Sequence, residues 1–101
     1  MITTNLQFMV DFTLPDAITE EFIELVPFQK LIVDQYLEDG KLVNYAQSSD
    51  NAKVWAIFNA SSELEVLEML VDFPLTPFMG VEVNLLNSFS TNESVPPFSL
   101  N

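Results

Sequence analysis

Residues 6–14 alternate strictly between apolar and polar side chains, and this alternation constrains the fold more than any other feature of the chain. The apolar side chains of this stretch are Leu6, Phe8, Val10, Phe12 and Leu14. A period of two is typical of a β-strand with one buried face. Residues 81–86 alternate in the same way near the other end of the chain. The sequence therefore predicts a sheet that contains both an early and a late segment.

A long amphipathic segment follows the first predicted strand. Thr19 is a suitable N-cap, and apolar side chains then recur at three- and four-residue steps as far as Asp39. Gly40 is predicted as the C-cap. Because Pro27 lies within this pattern and lacks a backbone donor, we expect either a kink or two abutting helices near Val26.

A hairpin and a second helix are predicted next. Residues 41–47 and 53–59 are rich in β-branched and aromatic side chains, and the Ser-Ser-Asp-Asn segment between them has turn composition. Ser62 and Glu65 have the spacing of a capping box, which marks the start of a helix that ends before Pro74.

The order strand, helix, strand, strand, helix, strand predicts an α+β domain of the ferredoxin-like βαββαβ type. In this plan a four-stranded antiparallel sheet carries both helices on one face. The domain is predicted to span residues 1–86. Residues 87–101 are rich in Ser and Asn and are predicted to be partly disordered or to pack on a neighbouring subunit.

The face of the predicted sheet without helices has an apolar surface. Met9 belongs to it, together with either the pair Trp55 and Ile57 or the set of residues 54, 56 and 58. Monomers seldom leave a contiguous apolar patch of this kind in water. We therefore expect a homodimer in which a second copy covers this face.

Composition excludes several classes of function. Fifteen acidic and three basic residues give a formal net charge of -12, which disfavours nucleic acid as a partner. The chain has no His and no Cys, so it lacks the usual general base, a thiolate nucleophile and the common ligands of zinc and haem. No cofactor and no metal site are predicted. The sequence shows neither a membrane span nor a signal peptide, so we predict a cytoplasmic protein without membrane partners.

Residues 73–83, Phe-Pro-Leu-Thr-Pro-Phe-Met-Gly-Val-Glu-Val, resemble the Leu-Pro-Leu-Phe-Pro-Tyr-Met-Asp-Ile-Glu-Val signature of muconolactone Δ-isomerases. Gly40 before the hairpin, Phe58 and the Ser61-Ser62 helix start also keep nearly the family spacing. The resemblance covers residues 6–86 and implies a subunit that pairs sheet to sheet as a dimeric α+β barrel and builds larger rings. It also implies cofactor-free proton transfer that moves a double bond within a small unsaturated lactone.

Several polar positions differ from the family pattern. In the first strand the family carries His and Lys where this chain has Met9 and Asp11. In the long helix a Glu-Lys pair is replaced by Gln29 and Lys30, so the lysine is kept. The hairpin of the family carries Arg, His and Trp, and this chain has in their place Val43, Asn44 and Ala46.

Two residues are candidates for catalysis. Asp11 lies on the strand face away from Phe8 and Val10, so in the expected dimer it would face the interior, where a carboxylate without a hydrogen-bond donor can serve as a general base, unless it lies in water or pairs with a lysine across the interface. Lys30 either orients an acidic substrate or pairs with Asp34 one helical turn later. The candidate substrate-binding residues are Met9, Gln29, Asn44, Tyr45, Trp55 and Phe78.

Three functions remain open from the sequence. The first is a cofactor-free isomerase, or a related proton-transfer enzyme, that acts on a small unsaturated lactone or acid. The second is a non-catalytic oligomer that binds a small apolar ligand, which the missing His and Arg residues favour. The third is a cofactor-independent monooxygenase, by analogy with other dimeric α+β barrels.

Overall fold

An antiparallel sheet and two helices form the part of the chain that the structure, a computed structural model, describes, residues 6–87. The elements are β1 (Leu6–Thr13), α1 (Glu20–Glu38), β2 (Leu42–Gln47), β3 (Lys53–Ala60), α2 (Glu63–Val71) and β4 (Gly80–Leu85). The strands lie in the order β2-β3-β1-β4, and all paired strands are antiparallel. The predicted ferredoxin-like α+β fold is confirmed. The behaviour predicted for residues 88–101 lies outside the described residues.

Both helices pack on one face of the sheet. The alternating side chains of β1 confirm the prediction, since Phe8, Val10 and Phe12 are each at most 3% exposed. They form one core with side chains from α1 and α2, including Val33 and Val66. Burial of these apolar side chains on a single face fixes the register of the sheet. No helix within residues 6–87 has the length and apolar character needed to cross a bilayer.

Helix α1 is continuous through Pro27, so the alternative of two abutting helices is wrong. The Thr19 hydroxyl accepts a hydrogen bond from the Phe22 backbone N–H at 3.1 Å and so caps the helix as predicted. At the other end the C-cap is Asp39, one residue before the predicted Gly40. Gly40 has a φ of 77°, which allows the backbone N–H of Lys41 to donate to the Tyr36 carbonyl at 3.1 Å in a Schellman motif.

A β-bulge in β2 decides which of its side chains face the helices. Leu42 is opposite Phe58, but the next partner pair is Asn44 and Ile57, so one extra residue lies in β2. Because of this extra residue, Tyr45 lies on the helix side of the sheet, opposite the core residue Ala56. Without the bulge, strict alternation from Leu42 would turn Tyr45 to the opposite face.

The register of β1 and β3 settles which side chains lie on the helix-free face. Met9 is opposite Ile57, and Asp11 is opposite Trp55. Of the two predicted alternatives, the pair Trp55 and Ile57 therefore shares this face with Met9. The other set, residues 54, 56 and 58, lies in the core under the helices.

Candidate functional site

A cavity of about 390 Å³ lies between α1 and the helix-facing side of the sheet. Most of its wall is apolar and comes from α1, β3 and the segment before β4. The apolar lining residues are Leu14, Phe22, Val26, Val33, Val54, Leu75 and Met79. The polar lining residues are Gln29, Lys30, Asp34, Tyr45 and Gln47. An apolar wall with a few convergent polar groups is typical of a small-molecule site.

Gln29 is the one polar residue that is buried within the described part of the chain, with an exposure of 4%. Its side-chain Oε1 accepts a hydrogen bond from the Leu75 backbone N–H at 3.0 Å. Its Nε2 donates to the Tyr45 hydroxyl at 3.2 Å. The amide therefore bridges α1, the loop that precedes β4, and β2, and both of its ends are satisfied as a buried amide requires.

Tyr45 contributes a phenol to the cavity wall. Burial raises its pKa above 10.0, and the hydrogen bond from Gln29 acts in the opposite direction as a smaller effect. The phenol is consequently neutral at physiological pH and retains its proton. The β2 bulge is what places this residue on the cavity side of the sheet.

Lys30 and Asp34 form the charged part of the cavity wall. Lys30 Nζ lies 3.5 Å from Asp34 Oδ2, and the two side chains are 76% and 56% exposed. Such exposure places the pair at the solvent end of the cavity, where an ion pair of this kind adds little to stability. Its groups are available to a ligand.

The structure divides the predicted site residues between the two faces of the sheet. Gln29, Lys30 and Tyr45 line the cavity. Phe78 lies beside it, with its ring centroid 6.0 Å from that of the lining residue Phe22. The residues on the helix-free face are Met9, Asp11, Asn44 and Trp55. Within residues 6–87 of one chain, the cavity residues and the residues of the helix-free face therefore lie on opposite sides of the sheet.

Asp11 has a lysine partner from the neighbouring strand. Lys53 Nζ lies 2.6 Å from Asp11 Oδ1, and the two groups form an ion pair. The same ammonium donates to Thr13 Oγ1 at 3.1 Å. The alternative predicted for Asp11 was a lysine across the interface, whereas this lysine belongs to the same chain. Its role as a general base stays a prediction.

Two polar cavity residues, Asp34 and Gln47, are not among the residues predicted for the site. Asp34 was considered only as a partner for Lys30, yet its position one turn along α1 places it on the same side of the helix. Gln47 follows Tyr45 by two residues in β2 and therefore shares its face. Their spacing from the candidate residues Lys30 and Tyr45 is the sequence signal that indicates both positions.

No metal centre accompanies this cavity in the described chain. Residues 6–87 contain no group of three or more potential ligand side chains placed to hold a metal ion. The polar groups in the cavity lining are a neutral phenol, two amides, an ammonium and a carboxylate.

Comparison with known proteins bears on both the fold and the family of this chain. Sequence comparison with curated proteins finds no significant relative. Among solved structures, the crystal structure of muconolactone isomerase superimposes with a TM-score of 0.69 at 21% identity, covering 94% of this chain and 95% of that chain. This likeness supports the fold. The family model described as muconolactone delta-isomerase matches residues 6–92, most of the sequence. The chain therefore belongs to the muconolactone Δ-isomerase family.

Proposed function

We propose that this protein binds a small unsaturated lactone or acid in the cavity beneath α1 and catalyses a proton transfer that moves its double bond. The observation that carries the proposal is the placement of a neutral phenol, Tyr45, and a charged pair, Lys30 and Asp34, around one mostly apolar cavity. A cavity of about 390 Å³ is large enough for a small ring compound.

Lys30 supplies the only cationic group in the cavity lining. A substrate carboxylate that binds its ammonium replaces Asp34 as its partner, which leaves the Asp34 carboxylate free. Asp34 then takes a proton from the saturated carbon at the far end of the conjugated system and returns it to the carbon next to the carbonyl. The double bond moves, and no atom is gained or lost.

Tyr45 stabilises the oxygen on which negative charge develops during this transfer. Its phenol donates a hydrogen bond to the substrate carbonyl, and this bond strengthens as the enolate forms. Because burial keeps the phenol protonated, no rearrangement is needed before the reaction. The apolar residues around it exclude water and increase the effect.

The test is an isomerisation assay with muconolactone, followed by the change in ultraviolet absorbance as the double bond moves. Asp34→Asn is expected to lower kcat by at least about 100-fold, since general-base catalysis contributes on that order. Lys30→Met is expected to raise KM more than it lowers kcat. Glu38→Gln, an exposed α1 residue outside the cavity lining, is the matched control and keeps full activity.

Asp11→Asn tests whether the base is Asp34 in the cavity or Asp11 on the helix-free face. Loss of turnover in Asp11→Asn, with activity kept in Asp34→Asn, would move the reaction to that face. Absence of turnover with any unsaturated lactone or acid tested would remove the catalytic claim.

The apolar wall of the cavity favours a second candidate function, the binding of a small apolar ligand without catalysis. Seven of the twelve lining residues are aliphatic, aromatic or Met side chains, without counting Tyr45. In this alternative Lys30 and Asp34 remain a solvent-exposed pair. Saturable binding of lactones without turnover, unaffected by Asp34→Asn, would favour it.

We also propose that a second copy covers the helix-free face, as in a dimeric α+β barrel. Trp55 is 37% exposed although β3 is an internal strand of the sheet. Met9 and Ile57 lie beside it in the sheet register. Burial of a large aromatic side chain of this kind is a common source of interface affinity.

A further inference from the structure

Two consecutive hydrogen bonds cross the inner wall of the cavity. Their donors and acceptors can be arranged in only one way. The first begins at the backbone N–H of Leu75, which can only donate. This group lies 3.0 Å from Gln29 Oε1, so the oxygen of the amide faces Leu75 and the nitrogen faces Tyr45. The orientation of the amide is thus fixed by the backbone.

The direction of these two hydrogen bonds determines what the Tyr45 hydroxyl can do. Gln29 Nε2 donates to the Tyr45 oxygen at 3.2 Å, so the phenol acts as the acceptor in that bond. Its own hydrogen is left for another partner, and no group within residues 6–87 accepts it. A hydroxyl that lines a cavity and has an unused hydrogen presents a donor to whatever binds there.

We infer that the cavity selects ligands that present a hydrogen-bond acceptor oxygen, such as a lactone or ketone carbonyl, and that Gln29 is the positioning residue that sets this preference. The inference rests on the proposed binding site and specifies its ligand chemistry. A ligand that offers only an N–H or O–H donor at the same point leaves the Tyr45 hydrogen without a partner, which costs affinity.

Gln29→Glu reverses the direction of the hydrogen bond between residue 29 and the Tyr45 hydroxyl without a change in side-chain size. An ionised carboxylate at this position accepts hydrogen bonds from both the Leu75 N–H and the Tyr45 hydroxyl. The phenol hydrogen is then used, and the phenol oxygen presents only acceptor lone pairs to the cavity. The preferred ligand changes from an acceptor to a donor.

The experiment compares two five-membered ring probes of similar size. Cyclopentenone has a carbonyl acceptor and no donor, whereas pyrrole has an N–H donor and no acceptor oxygen. Their dissociation constants are measured by NMR titration of the full-length protein, and infrared spectroscopy records the carbonyl stretch of bound cyclopentenone. The natural chain is expected to bind cyclopentenone about tenfold more tightly than pyrrole, as one hydrogen bond allows.

Two variants then test the role of these two hydrogen bonds. Tyr45→Phe is expected to abolish the preference and to shift the carbonyl stretch to higher frequency, because the donor is removed. Gln29→Glu, measured above neutral pH, is expected to favour pyrrole. Tyr45→Phe is the decisive variant if Gln29→Glu does not fold.

The outcomes separate this inference from the proposed reaction. A preference for cyclopentenone that is unchanged in Tyr45→Phe overturns the inference and leaves the cavity as a binding site. Binding of neither probe overturns both the site and the inference. A Tyr45-dependent preference in a protein that has no isomerase activity supports the inference and removes the proposed catalysis.

Discussion

Phe73 illustrates how single side chains connect the helices to the sheet. It is 1% exposed, and its ring centroid lies 5.0 Å from that of Tyr36 in α1 and 6.0 Å from that of Phe58 in β3. Phe73→Ala is expected to lower the free energy of unfolding by about 3 to 5 kcal/mol, because it removes these contacts and leaves a cavity. Urea denaturation measures the change.

Val71→Ala is the control for this variant, since Val71 lies two residues away and is 81% exposed. Its effect should remain within about 0.5 kcal/mol. Equal effects of the two substitutions would contradict the placement of Phe73 in the core.

Tyr36 makes stability depend on pH in the alkaline range. Burial, followed by its hydrogen bond to Asp72 Oδ2 at 2.6 Å, raises the pKa of this phenol from 10.0 to about 12. A group whose folded pKa is raised contributes its full stabilisation below the unfolded pKa and loses it as the pH rises through the folded value. We expect the free energy of unfolding to fall between pH 10 and 12 through this group.

Tyr36→Phe checks this prediction, because a phenyl ring keeps the packing and removes the ionisable group. The fall over this pH range should be smaller in the variant than in the natural chain when unfolding is followed by circular dichroism. An identical alkaline profile in both proteins would contradict the assignment.

Among the secondary-structure elements, α1 contains a residue that lowers the stability of the protein. Pro27 lies inside the helix and has no backbone N–H for the hydrogen bond to the preceding turn. It is exposed, so its replacement disturbs little packing. Pro27→Ala is expected to raise the free energy of unfolding by about 1 to 3 kcal/mol. A loss of stability in thermal denaturation would show that the proline ring makes a needed contact.

The helix ends and the strands were predictable because their signals are local. Thr19 accepts its capping hydrogen bond as expected, and the Ser62 hydroxyl accepts one from the Glu65 N–H at 3.2 Å. The return bond of the predicted capping box is displaced by one residue, since the Glu65 carboxylate accepts from the Ser61 N–H and hydroxyl. Those bonds, the backbone one first, lower the pKa of Glu65.

The composition of the site was harder to predict because it depends on the β2 bulge. Nothing in the local sequence around Val43 specifies that one extra residue lies opposite β3. This single residue decides that Tyr45 faces α1 while Asn44 faces away. Periodicity predicts that a strand exists, but the pairing of strands across the chain fixes which side chains meet.

At the scale of the whole molecule, the helix-free face and the net charge act in opposite directions. The exposed Trp55 side chain on this face favours a second copy, whereas a formal charge of -12 per chain disfavours association. Salt screens this repulsion beyond about 8 Å at physiological ionic strength. We therefore expect sedimentation equilibrium at micromolar concentration to show a dimer or larger assembly that is tighter at higher salt.

Trp55→Glu should weaken this assembly, because it places two more negative charges at the centre of the dimer interface. Val71→Glu adds the same charge on the outer side of α2, where Val71 is 81% exposed, and serves as the control. Monomers in the natural protein, or equal association of both variants, would contradict the proposed interface.

The most direct test of the central claim is a crystal structure of the protein with an unsaturated five-membered lactone that carries a carboxylate. We predict that the ligand lies under α1, with its carbonyl oxygen about 3 Å from the Tyr45 hydroxyl and its carboxylate at Lys30. A ligand bound instead beside Asp11 and Trp55 on the helix-free face, with the cavity empty, would contradict it.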